Sequence, residues 1–321
     1  MPGYSFEKFN YGLRPSKQVE RKILIEKLLR LSQIGFDLRN YTYVGFGSVY
    51  YIDFIMFHKF HYLRDMLCVE WSDRPKRMKF NKPYKSVKLK MKPFADVVDS
   101  LSKKRPYLIW LDYDYPVNAS MLQDIDSCIH RLAPGSIFLV TAEARARLTE
   151  EDPANVELLS VAKQEDFLVT KYKEAFGTLV DHDITSADLD KNAIINLFWQ
   201  AINGRINDTL AMRDDITYSQ VFNFYYADGA PMITVGGVIG KTADHQKLAD
   251  ASFYNEMLVT AGADPVKISV PHLTMKEKSW LDGKIDAKLT VAQLAFELEA
   301  DFLDNYRRFY KEYPTFIEAL M

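Results

Sequence analysis

Two short segments of this chain carry residue types that could bind a nucleotide-like ligand and act on a second molecule. The first is the turn Gly45-Phe46-Gly47-Ser48, where two glycines allow a sharp bend and a close approach by a ligand. The second is Asp112-Tyr113-Asp114-Tyr115-Pro116. Its carboxylates and tyrosines could accept a proton, orient an amine or stabilise a positive centre, although the same aspartates could cap backbone amides in a turn.

An acid and an aromatic residue extend the first segment. Glu70 lies 23 positions after Gly47, close to the separation at which an acid meets the ribose hydroxyls of a bound nucleotide in Rossmann folds. A carboxylate can accept hydrogen bonds from both hydroxyls of a ribose diol. The alternative for Glu70 is a surface acid at a strand end. Trp71 could pack on an adenine ring or cover part of the core.

The elements that must position these residues alternate between helices and short apolar strands. Apolar residues at helical spacing predict a first helix from Ser16 to Ile34. Strands are predicted at 41–44, 65–70, 86–91, 107–111 and 137–141, with helical segments between them. This order predicts an α/β fold: a Rossmann-like, mostly parallel sheet with helices on both faces. Glu70 and Asp112 then lie at the carboxyl ends of two strands, which is where open α/β sheets bind ligands.

The second half of the chain loses this alternation and then regains strands. Residues 143–217 are acidic and helical in pattern, and we expect them to form an insertion or lid that shapes a substrate pocket. Apolar runs at 218–226 and 231–239 flank Asp228-Gly229, which is a strong signal for a hairpin. We therefore expect an antiparallel terminal hairpin at the edge of the sheet.

The C-terminal residues are predicted to form a helical tail. Capping-box pairs occur at Thr274 with Glu277 and at Thr290 with Gln293. An apolar stripe could pack on the body of the protein or hold a homodimer; it comprises Phe296, Leu303, Tyr306 and Phe309. The predicted units are an N-terminal helical segment (1–40), a cofactor-binding domain (41–142 and 218–270), the insertion (143–217) and the tail (271–321).

Composition narrows the class of protein. A hydrophobic fraction of 48% and a charged fraction of 26% are typical of globular proteins, and a net charge of −2 gives no overall attraction to nucleic acid or to anionic membranes. Cys68 and Cys128, without metal-ligand spacing, indicate a reducing compartment. No run of eighteen apolar residues occurs. We expect a cytoplasmic protein that does not contact membranes.

Local charge is less even than the total. Residues 74–105 hold twelve Lys or Arg against two Asp, a net of +10, whereas residues 150–190 hold eleven Asp or Glu against three Lys, a net of −8. The simpler interpretation is two solvated faces of opposite sign. The alternative is a basic surface that meets a phosphate-bearing substrate, so nucleic acid stays a possible but less favoured partner.

The predicted strand order favours a methyltransferase over a dehydrogenase. Parallel strands followed by an antiparallel hairpin are typical of S-adenosylmethionine-dependent methyltransferases of the Rossmann-like class. The dinucleotide-binding pattern G-x-G-x-x-G includes a third glycine, but here Val49 and Tyr50 follow Ser48. In this interpretation Asp96 could contact the adenine amino group, or cap the helix that begins at Val97.

Roles follow for the remaining residues. The residues predicted to hold the cofactor S-adenosylmethionine are Gly45, Phe46, Gly47, Ser48, Glu70, Trp71 and Asp96. Asp112, Asp114 and Tyr115 would face an unidentified oxygen or nitrogen acceptor and carry the catalysis. No metal is predicted, because Glu143 is the one acid available after the fifth strand.

Four segments also resemble a known group of proteins. They are Asn10 to Arg21, Tyr43 to Phe54, Phe80 to Tyr84 and Leu111 to Asp114, and they are similar to bacterial proteins classed as O-methyltransferases. The resemblance covers roughly the first 145 residues and implies a Rossmann-like fold with S-adenosylmethionine as cofactor.

The resemblance also implicates Arg14 and Lys17, which could bind the carboxylate of the cofactor or simply begin a solvated helix. One departure is Tyr43, near which many methyltransferases carry an acid that contacts the cofactor's amino group. This departure leaves a non-catalytic sensor or interaction protein on the same fold as one alternative. The basic segment 74–105 supplies the other, a methyltransferase that modifies nucleic acid.

Overall fold

A single mixed sheet organises the protein. The structure, a computed structural model, describes residues 14–71, 74–214 and 216–314. Its strands lie in the order β3-β2-β1-β4-β5-β7-β6-β8, and within the described ranges β7 alone runs against its neighbours. The strands are β1 (Thr42–Phe46), β2 (Asp65–Glu70), β3 (Val87–Met91), β4 (Tyr107–Pro116), β5 (Ser136–Glu143), β6 (Thr217–Asp228), β7 (Ala230–Gly240) and β8 (Val266–Ile268).

The sheet confirms the α/β prediction and corrects one detail of it. The β6–β7 hairpin turns at Gly229, whose φ of +107° suits a residue without a side chain. Yet the hairpin does not close the sheet, because β8 pairs in parallel with β6 and forms the edge. A strand of three residues carries too little pattern to be recognised from the sequence.

Helices cover both faces of the sheet. They are α1 (Pro15–Gln33), α2 (Ile52–His61), α3 (Pro75–Phe80), α4 (Ala95–Val98), α5 (Ala119–Arg131), α6 (Val161–Phe176), α7 (Ala193–Leu210), α8 (Thr242–Asp250), α9 (Met275–Asp282) and α10 (Ala300–Phe309). Helices α1, α2 and α10 contribute to the core on one face, and α5, α6 and α7 to the core on the other. No helix in the described ranges is both long and apolar enough to cross a membrane.

Residues 143–217 contribute two long helices to one face of the sheet. Ile194, Phe198 and Ile202 of α7 are fully buried in the second core, together with residues of α5, β5 and β7. This segment therefore forms part of the layer that covers one face of the sheet.

The tail uses its apolar stripe within the chain. Both predicted capping boxes are present, at the start of α9 and at a short 3₁₀ turn. Leu303, Tyr306 and Phe309 of α10 are buried against the first core, and Phe296 packs beside it. The stripe thus covers the body of this chain, which removes it as an argument for a homodimer. Residues 1–13 of the predicted N-terminal segment lie outside the described ranges.

Candidate functional site

A cavity of about 430 Å³ opens at the carboxyl ends of β1, β2 and β4. Helix α1 and the β6–β7 hairpin close its far side through Arg21, Tyr226 and Met232. Ten of the residues predicted from the sequence line it: Arg14, Lys17, Phe46, Gly47, Ser48, Glu70, Trp71, Asp112, Asp114 and Tyr115. Two predicted residues, Gly45 and Asp96, are absent from the lining that the described residues form. Asp96 is exposed on α4, where it makes no cap, and its contact with adenine stays a prediction.

Close packing explains both glycines of the turn after β1. A Cβ atom on Gly47 would collide with the Cys68 Sγ and lie 3.1 Å from the Met78 Cε. A Cβ atom on Gly45 would collide with the hydroxyl of Tyr43. Gly47 also donates its N–H to the Val69 carbonyl at 3.1 Å, which fixes the turn against β2. The glycines therefore let the backbone lie close to the β2 side of the cavity.

Glu70 stands at the end of β2, beside the glycine turn. Its Oε2 lies 3.6 Å from the position of a Cβ on Gly47, and its side chain is largely buried. Burial, with the nearby charge of Asp114, raises the pKa of Glu70 to about 7, although a hydrogen bond from the Trp71 backbone opposes the shift. A carboxylate that ionises near neutral pH within a cavity is a typical feature of a binding or catalytic site.

A buried ionic cluster of Lys17, Glu20 and Asp112 forms the floor of the cavity. The Lys17 Nζ lies 2.9 Å from the Glu20 Oε2 and 3.0 Å from the Asp112 Oδ1. The same ammonium lies 4.4 Å from the centre of the Trp110 ring, within the range of a cation–π contact. Burial alone would lower the pKa of Lys17, but Asp112 and Glu20 hold it well above its usual range. Lys17 is therefore a cation that orients Asp112.

Glu20 connects this cluster to the centre of the sheet. It accepts a hydrogen bond from the Thr234 hydroxyl of β7, which lies 2.7 Å from the hydroxyl of Thr141 on β5. The indole N–H of Trp110 donates to Thr141 at 2.9 Å. Burial raises the pKa of Glu20, while Lys17 opposes the shift. The position of Lys17 is thus fixed by side chains of four elements: α1, β4, β5 and β7.

A second buried ion pair lies beside the first. The Arg21 Nε donates to the Asp53 Oδ1 at 2.7 Å, and this pair joins α1 to α2 at the cavity wall. The charges of Asp53 and Asp112 both raise the pKa of Tyr43, after burial, which is the larger cause. Asp53 of α2 therefore lies near Tyr43 and also lines the cavity.

The start of α1 is held by the tip of the hairpin. Asp228 accepts the N–H of Ser16 at 3.0 Å and that of Lys17 at 2.8 Å. These two amides lie in the first turn of α1, where no intrahelical partner exists. Asp228 therefore caps the helix that brings Lys17 and Arg21 to the cavity.

The acidic segment is a strand and not a turn. Strand β4 continues to Pro116, with an irregular register against β5 after Asp112. The hydroxyl of Tyr113 donates to the Asp124 Oδ2 at 2.8 Å. Burial raises the pKa of Asp124, although the bond from Tyr113 opposes this. Burial also raises the pKa of Tyr115, followed by the charge of Asp124.

Several functional residues escaped prediction. Arg21, Asp53, Asp124 and Tyr226 line the cavity, and Glu20 stands behind it. One signal could have found Arg21, because it follows Lys17 by four residues and so shares its face of the helix. Within the described ranges no group of three or more His, Cys, Asp or Glu could hold a metal ion. Glu143, the acid considered as a ligand, instead binds Arg147 at 2.7 Å and Arg145 at 2.5 Å.

Several solved structures resemble this chain. One similar structure is described as a putative S-adenosylmethionine dependent methyltransferase from Listeria monocytogenes; it is 17% identical, with 36% of this chain matched to 52% of that one and a TM-score of 0.28. The O-methyltransferase TomG from Streptomyces achromogenes, in complex with SAM, is 15% identical. The match covers 72% of this chain and 90% of TomG, with a TM-score of 0.36. Cofactor-bound Rv0187 from MTB is 13% identical. The match covers 68% of this chain and 79% of Rv0187, with a TM-score of 0.36.

Similarity at the level of sequence is more decisive than these structural likenesses. No curated protein matches the sequence. A family described as "Putative O-methyltransferase" matches residues 9–321, and its match includes the segments that form the cavity. The chain therefore belongs to this O-methyltransferase family.

Proposed function

We propose that the protein transfers a methyl group from S-adenosylmethionine to an oxygen or nitrogen atom of an acceptor. One observation carries the proposal. The glycine turn, the acid at the end of β2 and the acids of β4 line a single cavity. Membership of the family supports the same reaction.

The residues present fit the cofactor. When bound, S-adenosylmethionine supplies an electrophilic methyl group on a positively charged sulfur. Glu70 would accept hydrogen bonds from the ribose diol, and Gly47 and Ser48, which line the cavity, let the cofactor lie close beside it. Trp71 and Phe94 supply apolar surface on the same side for an adenine ring.

The α1 side would bind the other end of the cofactor. Arg14 lines the cavity and can offer two parallel N–H groups to a carboxylate. The ammonium of Lys17 already contacts two carboxylates, so we assign it to holding Asp112 and not to binding the cofactor.

The carboxylates of β4 would serve the acceptor. An acceptor hydroxyl must lose its proton during the reaction, and Asp112 and Asp114 lie where they could take it up. Asp112 is fixed by Lys17, and Tyr115 is held beside Asp114 on the same strand. Fixed positions suit methyl transfer, because an in-line displacement depends on alignment.

Calorimetric titration with S-adenosylmethionine, S-adenosylhomocysteine and NAD tests the proposal. We expect binding of the first two alone. Glu70→Ala should weaken it by about 10- to 100-fold, because hydrogen bonds to a charged group contribute about 1.5–3 kcal/mol. The exposed Glu165→Ala is the matched control and should bind as the wild type does. Equal affinity in Glu70→Ala would remove Glu70 from the site, and failure of both sulfur compounds to bind would refute the proposal.

Turnover and location complete the proposal. Binding without methyl transfer to any acceptor tested would favour the non-catalytic sensor over the enzyme. We place the protein in a reducing compartment such as the cytoplasm, because Cys68 and Cys128 are both free and buried.

A further inference from the structure

A strongly basic surface borders the cavity where α3 and β3 meet its mouth. Residues 74–92, here named the basic edge, include nine Lys or Arg and no Asp or Glu. This concentration of charge belongs to a chain whose formal net charge is −2. It therefore creates a local positive field that the rest of the sequence does not.

The fold places the basic edge directly beside the candidate site. Met78 of α3 is buried and lines the cavity beside the glycine turn, so α3 lies at the cavity wall. On the edge strand β3, side chains alternate between faces, which puts Lys88 and Lys90 on one face, and Lys92 follows the end of the strand. Lys92 itself lines the cavity. Lys88 and Lys90 are thus about 6.6 Å apart, and with Lys92 they form a lysine row that ends at the cavity.

Most lysines of this surface are available to a partner. Lys88 binds the Asp65 Oδ1 at 2.9 Å. Lys76, Lys79, Lys90 and Lys92 are exposed, and none of them forms an ion pair with another described residue.

Two aromatic side chains accompany the charges. Trp71, which follows β2, is 73% exposed, and Phe80, at the end of α3, is 88% exposed. Large aromatic residues among exposed lysines are the combination that binds single-stranded nucleic acid, because rings stack on bases while lysines follow the phosphates. An acidic peptide would use the charge but would not need flat, exposed rings. An anionic membrane would use both, and the vesicle experiment below separates it from a nucleic acid.

The volume of the cavity points in the same direction. About 430 Å³ lies at the lower end of the range of roughly 300–1,000 Å³ that a single drug-sized ligand occupies. A cavity of this size suits the cofactor together with the reacting part of an acceptor. A larger acceptor would extend from the mouth onto the surface beside it.

We infer that the acceptor is a single-stranded nucleic acid that lies along the basic edge, with one nucleotide reaching into the cavity. The assignment to an acceptor rests on the proposed function, but binding along the basic edge does not. The phosphates would follow the lysine row, and a base would stack on Phe80, since Trp71 is assigned to the cofactor.

Fluorescence anisotropy with labelled oligonucleotides of about 12 nucleotides tests the inference without any cofactor, so its outcome is separate from that of the titrations above. Single-stranded RNA, single-stranded DNA and the matching duplex serve as probes. Phe80→Ala should weaken single-strand binding about tenfold, because stacking is lost, and should leave duplex binding unchanged. Tyr310→Ala, at another exposed ring, is the control.

Charge is tested with a matched pair of double variants. Lys79→Glu with Lys90→Glu should weaken binding of both probes, whereas Lys163→Glu with Lys191→Glu, which makes the same charge change elsewhere, should not. With four phosphates contacted, raising salt from about 50 mM to about 200 mM should weaken single-strand binding by about 50-fold.

Three results would overturn the inference. The first is no binding of either single strand at low salt. The second is equal affinity for single strand and duplex together with no effect of Phe80→Ala, which would indicate a surface that reads charge alone. The third is stronger binding to vesicles with anionic lipids than to the oligonucleotides, which would make the surface a membrane contact.

Discussion

The two sides of the cavity are built from similar residue types that are used in opposite ways. On the α1 side, Lys17 and Arg21 are buried at 3% exposure each and paired with carboxylates. On the α3–β3 side, lysines are exposed, and Trp71 and Phe80 face solvent. The first side is therefore part of the folded core, while the second is a surface.

This difference indicates that the α1 side, and not the α3–β3 side, sets the geometry of the site. Buried ion pairs hold their partners in one arrangement, because any movement would leave a charge unpaired in a medium of low dielectric constant. The α1 side can thus fix Asp112 for chemistry. Exposed cations keep their rotamer freedom, and this suits a surface that receives a flexible partner.

The largest expected effect concerns the buried ionic cluster. Lys17→Met should lower the free energy of unfolding by about 3–5 kcal/mol, because Glu20 and Asp112 would both lose their buried cation. Urea unfolding at about pH 7 measures this, with the exposed Lys163→Met as control.

Adding Glu20→Gln to Lys17→Met should restore part of the loss, since one of the unpaired charges is then removed. A loss below about 1 kcal/mol in Lys17→Met would show that the cluster does not hold the α1 side together.

The same contrast explains how far the sequence could predict the site. The bounds of β2 and the hairpin turn at Asp228-Gly229 follow from local patterns and were confirmed. Residues at strand ends, such as Glu70 and Asp112, could be found because topology alone brings them together. Glu20 and Arg21 could not, since a charged residue on a helix usually faces solvent, and only tertiary contacts show that these are buried.

Asp96 and the segment 143–217 show what periodicity alone does not determine. Both lie beside elements that were placed correctly, yet the direction in which each one faces depends on packing. The helical register of α4 leaves Asp96 exposed, and the apolar face of α7 draws the segment 143–217 onto the sheet. Periodicity indicates that a helix forms but not which surface it covers.

The next effect concerns Glu70, which lies between the two sides. Its pKa of about 7 in the folded protein exceeds the usual 4.5, so the folded state binds more protons and stability falls as pH rises between these values. Between about pH 5 and about pH 8 the free energy of unfolding of the wild type should fall by about 1–3 kcal/mol more than that of Glu70→Gln.

Urea unfolding at both pH values measures the difference. Glu165→Gln removes an exposed acid and should follow the wild type. If Glu70→Gln loses as much stability as the wild type over this range, the carboxyl of Glu70 is solvated and its proposed role in the cavity loses its electrostatic basis.

A smaller effect is expected at the cap of α1. Asp228→Ala should lower the free energy of unfolding by about 1 kcal/mol, because the amides of Ser16 and Lys17 lose their acceptor. Asp228→Asn should retain most of the stability, since its amide oxygen can still accept. Thermal unfolding of both variants, with the exposed Asp286→Ala as control, separates capping from a general effect of charge.

The smallest effect is expected on the open side. Phe80→Ala should change the free energy of unfolding by less than about 0.5 kcal/mol, because its ring is 88% exposed and buries little surface. Met78→Ala, two residues earlier on the same helix but only 2% exposed, should cost about 2–5 kcal/mol. Urea unfolding of the pair measures the contrast across a single helix. A large loss in Phe80→Ala would mean that this ring packs within the protein, and the side described here as an open surface would then belong to the core.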